Sequence, residues 1–346
     1  MNKTRLKLLV TLTASAAVLL VVVLLVGVEE TWRSLCEAGA PAFVLVGVIA
    51  ALFIALPTFS WALLNRAVNH PVPYGVLFRT SLIGMAVNII TPSSYLGGEP
   101  VKVYLLGRRT GLPYKELGGT VLLTKYLEAL SFIPFFAAAA VIALYAHRDD
   151  LSSGNGGAIW STLMVLTAVL VLLSLVLIAS LLLRWHPFTL LFQGIRRALG
   201  GSRFLKKATR VSRDIEEQVC RVVRTNRSLS FRALALTMLA QVMVFLRPVA
   251  FFRLGMEIPL GLGDLCLIYL AGQALMALQV TPSGVGIMDG GMLGIFSLTG
   301  GIEPSQGMAY LLCLRFWDVL TVSVGVLLCA EMGLDIVRLR QKNEEL

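Results

Sequence analysis

Thr91-Pro92-Ser93-Ser94-Tyr95-Leu96-Gly97-Gly98-Glu99 interrupts a long apolar stretch with a proline, two glycines and a carboxylate. A near copy, Thr281-Pro282-Ser283-Gly284-Val285-Gly286-Ile287-Met288-Asp289, lies 190 residues further on. Held at that offset without a gap, Glu99 falls on Asp289, Lys125 on Arg315 and Glu128 on Asp318. Most positions in between differ, so the match rests on the charges. Charged residues are only 14% of the chain, which makes agreement of sign at three positions informative. The chain reads as a duplicated unit whose two copies each contain a Thr-Pro-Ser turn.

The surroundings of these turns set the class. Of 346 residues, 57% are apolar, and the mean hydropathy is +0.80. Several runs exceed the roughly 20 apolar residues that cross a hydrocarbon core of about 30 Å. Helices satisfy their own backbone in lipid, so the expected class is an all-α polytopic membrane protein. The net charge of +10 then reflects basic loops on the cytoplasmic side, not nucleic-acid binding. Cys36, Cys220, Cys266, Cys313 and Cys329 have no CxxC spacing, and His70, His147 and His186 are scattered. Neither set has the spacing of a metal site, and no cofactor motif is present.

Taken in order, the chain is expected to form a single membrane domain over 1–346. A first span covers 7–27, where a retained helix is favoured over a signal peptide because no small-x-small site follows directly. The stretch 29–40, acidic on balance, lies outside. Repeat one covers 41–146 and holds a re-entrant hairpin at 74–107. A linking span covers 158–183. The segment 184–230 is strongly basic and is expected to form amphipathic helices on the inner leaflet. Repeat two covers 231–332 with a hairpin at 262–296, and 333–346 is a cytoplasmic tail. This gives about six full spans, or eight if the hairpin arms cross. Basic residues flank the first hairpin, whereas 255–264 and 297–307 contain no lysine or arginine. The two repeats would therefore meet the membrane with opposite topology, and both termini would be cytoplasmic. Inverted repeats with broken helices near the midplane are a transporter architecture. Trp32, Trp61, Trp160 and Trp185 fall near proposed span ends, where tryptophan anchors to the interface.

Charges at membrane depth cost roughly 2.5–3.5 kcal/mol each on insertion scales and tend to be functional. The set here is Glu99, Lys125, Glu128, Arg247, Asp289, Arg315 and Asp318, with Arg79 nearer an interface. Lys125/Glu128 and Arg315/Asp318 are spaced i,i+3, so each pair shares a helix face. Each pair either neutralises itself or offers its cation to an anionic head group. In the second case Lys125, Arg315 and Arg247 are the head-group contacts, because arginine grips phosphate in two places and lysine acts as a point charge. Pro248 also frees a backbone carbonyl beside Arg247. Glu99 and Asp289 either cap the helices that start there or, with Glu128 and Asp318, serve as coupling or gating carboxylates. The turns themselves comprise Thr91, Pro92, Ser93, Gly97 and Gly98, and Thr281, Pro282, Ser283, Gly284 and Gly286. They match no nucleotide-binding pattern.

At these two motifs the chain resembles the lysylphosphatidylglycerol synthase transmembrane-region family, also called flippase-like or UPF0104 proteins. The resemblance extends over about 7–335. It implies handling of membrane lipids, such as aminoacylated or other phospholipids, hopanoids or polyprenyl-linked glycans. It also implies a bacterial inner (plasma) membrane location. Glutamate is common in the family where Asp289 stands. The fused synthases carry a soluble transferase domain that has no counterpart in 1–346, so this chain is expected not to make the modified lipid itself. The function expected is a lipid flippase that moves an anionic phospholipid or lipid-linked head group by alternating access at the repeat interface. The alternatives are an ion-coupled transporter of a small soluble anion, a membrane-embedded lipid-phosphate transferase using Glu99 or Asp289 as base, and a scaffold that recruits a separate lipid-modifying enzyme through the basic segment.

Overall fold

The structure is a computed structural model that describes residues 27–68, 70–91, 97–148, 227–277, 284, 286–299 and 301–344, with scattered positions between 168 and 217. The expected first span, the linking span, most of the basic segment, Trp160 and Trp185, and Pro92, Ser93, Thr281, Pro282 and Ser283 lie outside these residues. Among the described residues every regular element is helical. In chain order they are α1 (Val28–Ala67), α2 (Tyr74–Ile90), α3 (Glu99–Thr110), α4 (Tyr114–Ala146) and α5 (Arg227–Pro248). A π-helical turn (Val249–Arg253) follows α5, and then come α6 (Leu262–Ala277), α7 (Ile287–Leu298) and α8 (Pro304–Glu344).

Among the described residues, four helical stretches are long and apolar enough to cross a membrane: Val28–Ala67, Glu116–Ala146, Arg227–Arg253 and Pro304–Met332. They fall largely within the stretches read as the two repeats, 41–146 and 231–332. Two boundaries move. The acidic stretch 29–40 is helical, and the backbone leaves helical geometry at Gly39 (φ 74°, ψ 162°), just ahead of Pro41. At the other end, α8 runs on to Glu344 through the segment read as a tail. Between the long helices lie two pairs of short ones. The arms α2 and α3 have 17 and 12 residues, and α6 and α7 have 16 and 12. At 1.5 Å per residue the 12-residue arms rise about 18 Å, well short of a hydrocarbon core of about 30 Å.

The chain divides into two compact units. The first comprises 1–55, 75–112 and 242–346, and so contains both pairs of short helices. Its core is built from Val46 and Ile49 of α1, Phe251 and Phe252 of the π turn, Ile268 of α6, Met292 and Phe296 of α7, and Tyr310 and Leu311 of α8. The rings of Phe251, Phe252, Phe296 and Tyr310 lie at centroid distances of 5.1–6.1 Å in tilted or edge-on pairs, the geometry aromatic quadrupoles favour. Within this unit α2 and α8 pack closely: a Cβ on Gly325 would lie 2.5 Å from that of Ala86. Arg79 and Glu331 join the same two helices through an exposed pair at 3.3 Å.

The second unit comprises 56–74 and 113–241. Leu63 and Leu64 of α1 pack there with Leu123, Leu127 and Leu130 of α4 and Ala233 of α5. Two buried hydroxyls are joined across helices: Ser131 and Thr237 share a hydrogen bond of 2.6 Å. Trp61 is not an interface anchor. It is 3% exposed, and its indole N–H donates to Thr120 Oγ1 at 3.1 Å. Burial of the ring requires a partner for that N–H, and α4 supplies one. Trp32, by contrast, is exposed.

Candidate functional site

Both repeated carboxylates stand in the first turn of a short helix, where unsatisfied N–H groups favour negative charge. Glu99 is the first residue of α3, with Pro100 behind it. Its carboxylate meets Lys102 Nζ at 3.1 Å. The turn before it is drawn in by Asn88 of α2, whose Oδ1 accepts from the Gly98 N–H at 2.7 Å. The arms cross closely here. A Cβ on Gly98 would lie 2.0 Å from the Gly84 carbonyl oxygen, and one on Gly84 would strike the aliphatic stem of Lys102. Neither Asn88 nor Gly84 stands out in the sequence as part of a site, because both are small uncharged residues inside an apolar run.

Asp289 is the third residue of α7. Its Oδ2 accepts from the Gly286 N–H at 2.9 Å, while Gly286 adopts φ 86°, a conformation an L side chain would resist. Its Oδ1 accepts from both Nη2 (2.8 Å) and Nε (3.2 Å) of Arg315 on α8. Asp289 is fully buried and Arg315 nearly so. The same guanidinium reaches Asp318 through Nη1 at a longer 3.4 Å, and Asp318 keeps 33% side-chain exposure. Arg315 therefore joins its i,i+3 neighbour, as the spacing suggests, and also a carboxylate 26 residues away that no spacing rule announces. Lys125 and Glu128 belong to the other unit, where Lys125 Nζ meets Glu128 at 2.8 Å.

Arg315 and Asp318 line a cavity of about 60 Å³ within the first unit. Its other walls include Phe53 of α1, Met85 of α2, Arg247 of α5, Met276 of α6, and Met288 of α7. Residues of 41–146 and of 231–332 thus face one space. Trp317 also lines it, held by an indole N–H donated to the Phe43 carbonyl at 3.1 Å. Gly47 leaves room for that indole: a Cβ there would lie 2.1 Å from its ring.

Arg247 is set differently from Arg315. Its guanidinium lies over the Phe53 ring at 5.0 Å, a cation–π contact. Its Nε is buried and has no hydrogen-bond partner among the described residues. It immediately precedes Pro248, which cannot donate to the helical ladder, and the π turn follows at once. Such π turns inside helices occur frequently at functional sites. Here the turn carries Phe251 and Phe252 into the core while Arg247 faces the cavity. Of the three cations expected to meet a head group, the structure brings Arg247 and Arg315 to one cavity.

Comparisons with known proteins agree with this architecture. Over 327 residues the chain is 28% identical to a UPF0104 membrane protein of Methanothermobacter thermautotrophicus, an alignment covering 88% of this chain and 90% of that protein. Over 308 residues it is 23% identical to a UPF0104 membrane protein of Pyrococcus horikoshii, covering 87% and 91%. No solved structure matches the chain. The family described as the lysylphosphatidylglycerol synthase transmembrane region matches residues 6–325, and this integral membrane protein belongs to that family.

Proposed function

We propose that the protein is a transporter, not an enzyme, and that it moves an anionic phospholipid or lipid-linked head group between leaflets. The reading treats the two pairs of short helices as re-entrant hairpins of an inverted repeat, with exposure of one midplane site alternating between the two sides. The observation that carries it is the cavity holding Arg247 and Arg315 between segments of 41–146 and of 231–332. Two guanidiniums at membrane depth suit an oxyanion ligand. Methionine and aromatic walls suit a ligand with apolar parts. The basic bias of 184–230 supports a cytoplasmic position for that segment, and the reading puts it, with both termini, on the inner side of a bacterial inner membrane. It also offers a surface for a separate lipid-modifying enzyme.

The test is reconstitution into vesicles with fluorescent anionic and zwitterionic lipids added to one leaflet. Wild type is expected to move the anionic lipid, and Arg247→Gln/Arg315→Gln to abolish the movement while the protein stays folded. No movement of any lipid, with or without a proton gradient, would overturn the reading and favour a soluble anion.

A further inference from the structure

Three charged groups line the cavity, Arg247, Arg315 and Asp318, and a fourth, Asp289, stands buried behind Arg315. Their charges sum to zero, yet they are not shared evenly. Arg315 is held by both carboxylates, whereas the Arg247 Nε–H is buried and unmatched. A buried donor without an acceptor costs about 1–3 kcal/mol, more for a charged group. Such a group stays in place only if the surrounding packing holds it there or a ligand completes it. The packing is evident in Phe53, which lies against the guanidinium at 5.0 Å. The space beside it suits a ligand. One water needs roughly 10–15 Å³ in the same measure, so 60 Å³ holds about four to six waters. That is the bulk of one tetrahedral oxyanion.

An anion entering a site of zero net charge leaves it with an excess of negative charge, and one carboxylate must then yield. The two differ in what yielding costs. Asp289 has no side-chain exposure and also caps the Gly286 N–H. Freeing it would strand a charge in the interior, which is strongly destabilising. Asp318 is 33% exposed, lies 3.4 Å from Arg315 and itself lines the cavity. It can turn into the cavity water without crossing the core.

We propose that this cavity is a site for a single phosphate-type oxyanion, anchored by Arg247, and that the bound anion displaces Asp318, not Asp289, from Arg315. The inference deepens the transport reading and rests on it for the nature of the ligand. It assigns three separate tasks: Arg247 holds the anion, Asp289 fixes the Arg315 guanidinium, and Asp318 competes with the anion for Arg315.

The experiment is equilibrium binding to the purified full chain, read by tryptophan fluorescence, since Trp317 is in the cavity wall. The probes are short-chain phosphatidylglycerol, inorganic phosphate, and short-chain diacylglycerol as the uncharged control. Wild type is expected to bind phosphatidylglycerol and not diacylglycerol. Arg247→Gln should weaken binding at least tenfold, and Arg247→Lys should restore only part of it. Asp318→Asn should strengthen binding severalfold by removing the competitor, while Asp289→Asn should not. Unfolding temperatures of the same samples identify any variant that fails to fold. Unchanged binding by Arg247→Gln, or weaker binding by Asp318→Asn, overturns the assignment, as does the absence of binding to either phosphate probe. Equal binding of inorganic phosphate supports the anion site and points to a soluble source; phosphatidylglycerol alone points to a lipid. Binding without lipid movement in vesicles removes the transport reading and leaves the site. Lipid movement that survives Arg247→Gln removes the site and leaves the transport reading.

Discussion

In the first pair of short helices, Glu99 meets Lys102 one turn along its own helix, and Asn88 of the other arm caps the Gly98 N–H. In the second pair, Asp289 caps Gly286 and then reaches out to Arg315 on α8. Glu99 and the Gly98 N–H thus find partners within the first pair. Asp289 has no cation one turn along its own helix, because Met292 stands 190 residues after Lys102. Its carboxylate takes a partner from the next helix and so ties α7 to the cavity wall. Two similar stretches of sequence thus hold their carboxylates differently, one along its own helix and one across to another helix.

The comparison can be broken most easily at Asp289. Asp289→Asn removes the carboxylate closest to the buried Arg315 and is expected to cost about 3–5 kcal/mol, measured by unfolding in detergent or lipid. Arg315→Ala should cost about as much, and the double variant should recover part of the loss. Additive losses would show that the two groups act independently. Glu99→Gln is expected to cost less, about 1.5–3 kcal/mol, the range for a hydrogen bond to a charged group. Lys102 keeps some exposure and can draw back along its stem. Equal losses at Glu99 and Asp289 would erase the distinction between the two pairs of short helices.

Asn88→Ala removes the acceptor for the Gly98 N–H and should cost about 1–3 kcal/mol. Hydrogen exchange at Gly98 should rise with it; an unchanged rate would mean another group covers that N–H. The smallest effects sharpen the contrast in packing. Gly98→Ala drives a methyl group into the Gly84 carbonyl and should cost about 1–3 kcal/mol. Gly291→Ala meets only the tip of Leu275 at 2.8 Å, a side chain that can turn aside. The gain in helix propensity of about 1 kcal/mol offsets that contact, so its unfolding temperature should hardly move. If both alanines behave alike, the first pair of short helices is not the more tightly packed of the two.

Composition and hydropathy were enough for the membrane class and the four long helices found among the described residues. Burial in lipid leaves a strong one-dimensional record: long apolar runs, and proline and glycine where they stop. The start of α3 at Glu99 and the carboxylate in the first turn of α7 were legible for the same local reason. The i,i+3 pairs Lys125–Glu128 and Arg315–Asp318 could be read as well, since helix geometry alone brings them together. Trp61 was misread as an interface anchor, because nearness to a span end does not reveal that Thr120 waits on another helix.

By itself, then, the sequence determined which segments are helical in a membrane and which charges lie within them. Only the tertiary structure decided what those charges do: that Asp289 rather than Asp318 holds Arg315 most closely, and that Arg247 rests on Phe53 with its Nε–H unmatched. The physical reason is one of range. Hydrophobicity and helix periodicity act over neighbouring residues and are written along the chain, whereas an ion pair between α7 and α8 depends on the rotation and depth of both helices, which are set by packing around a shared core.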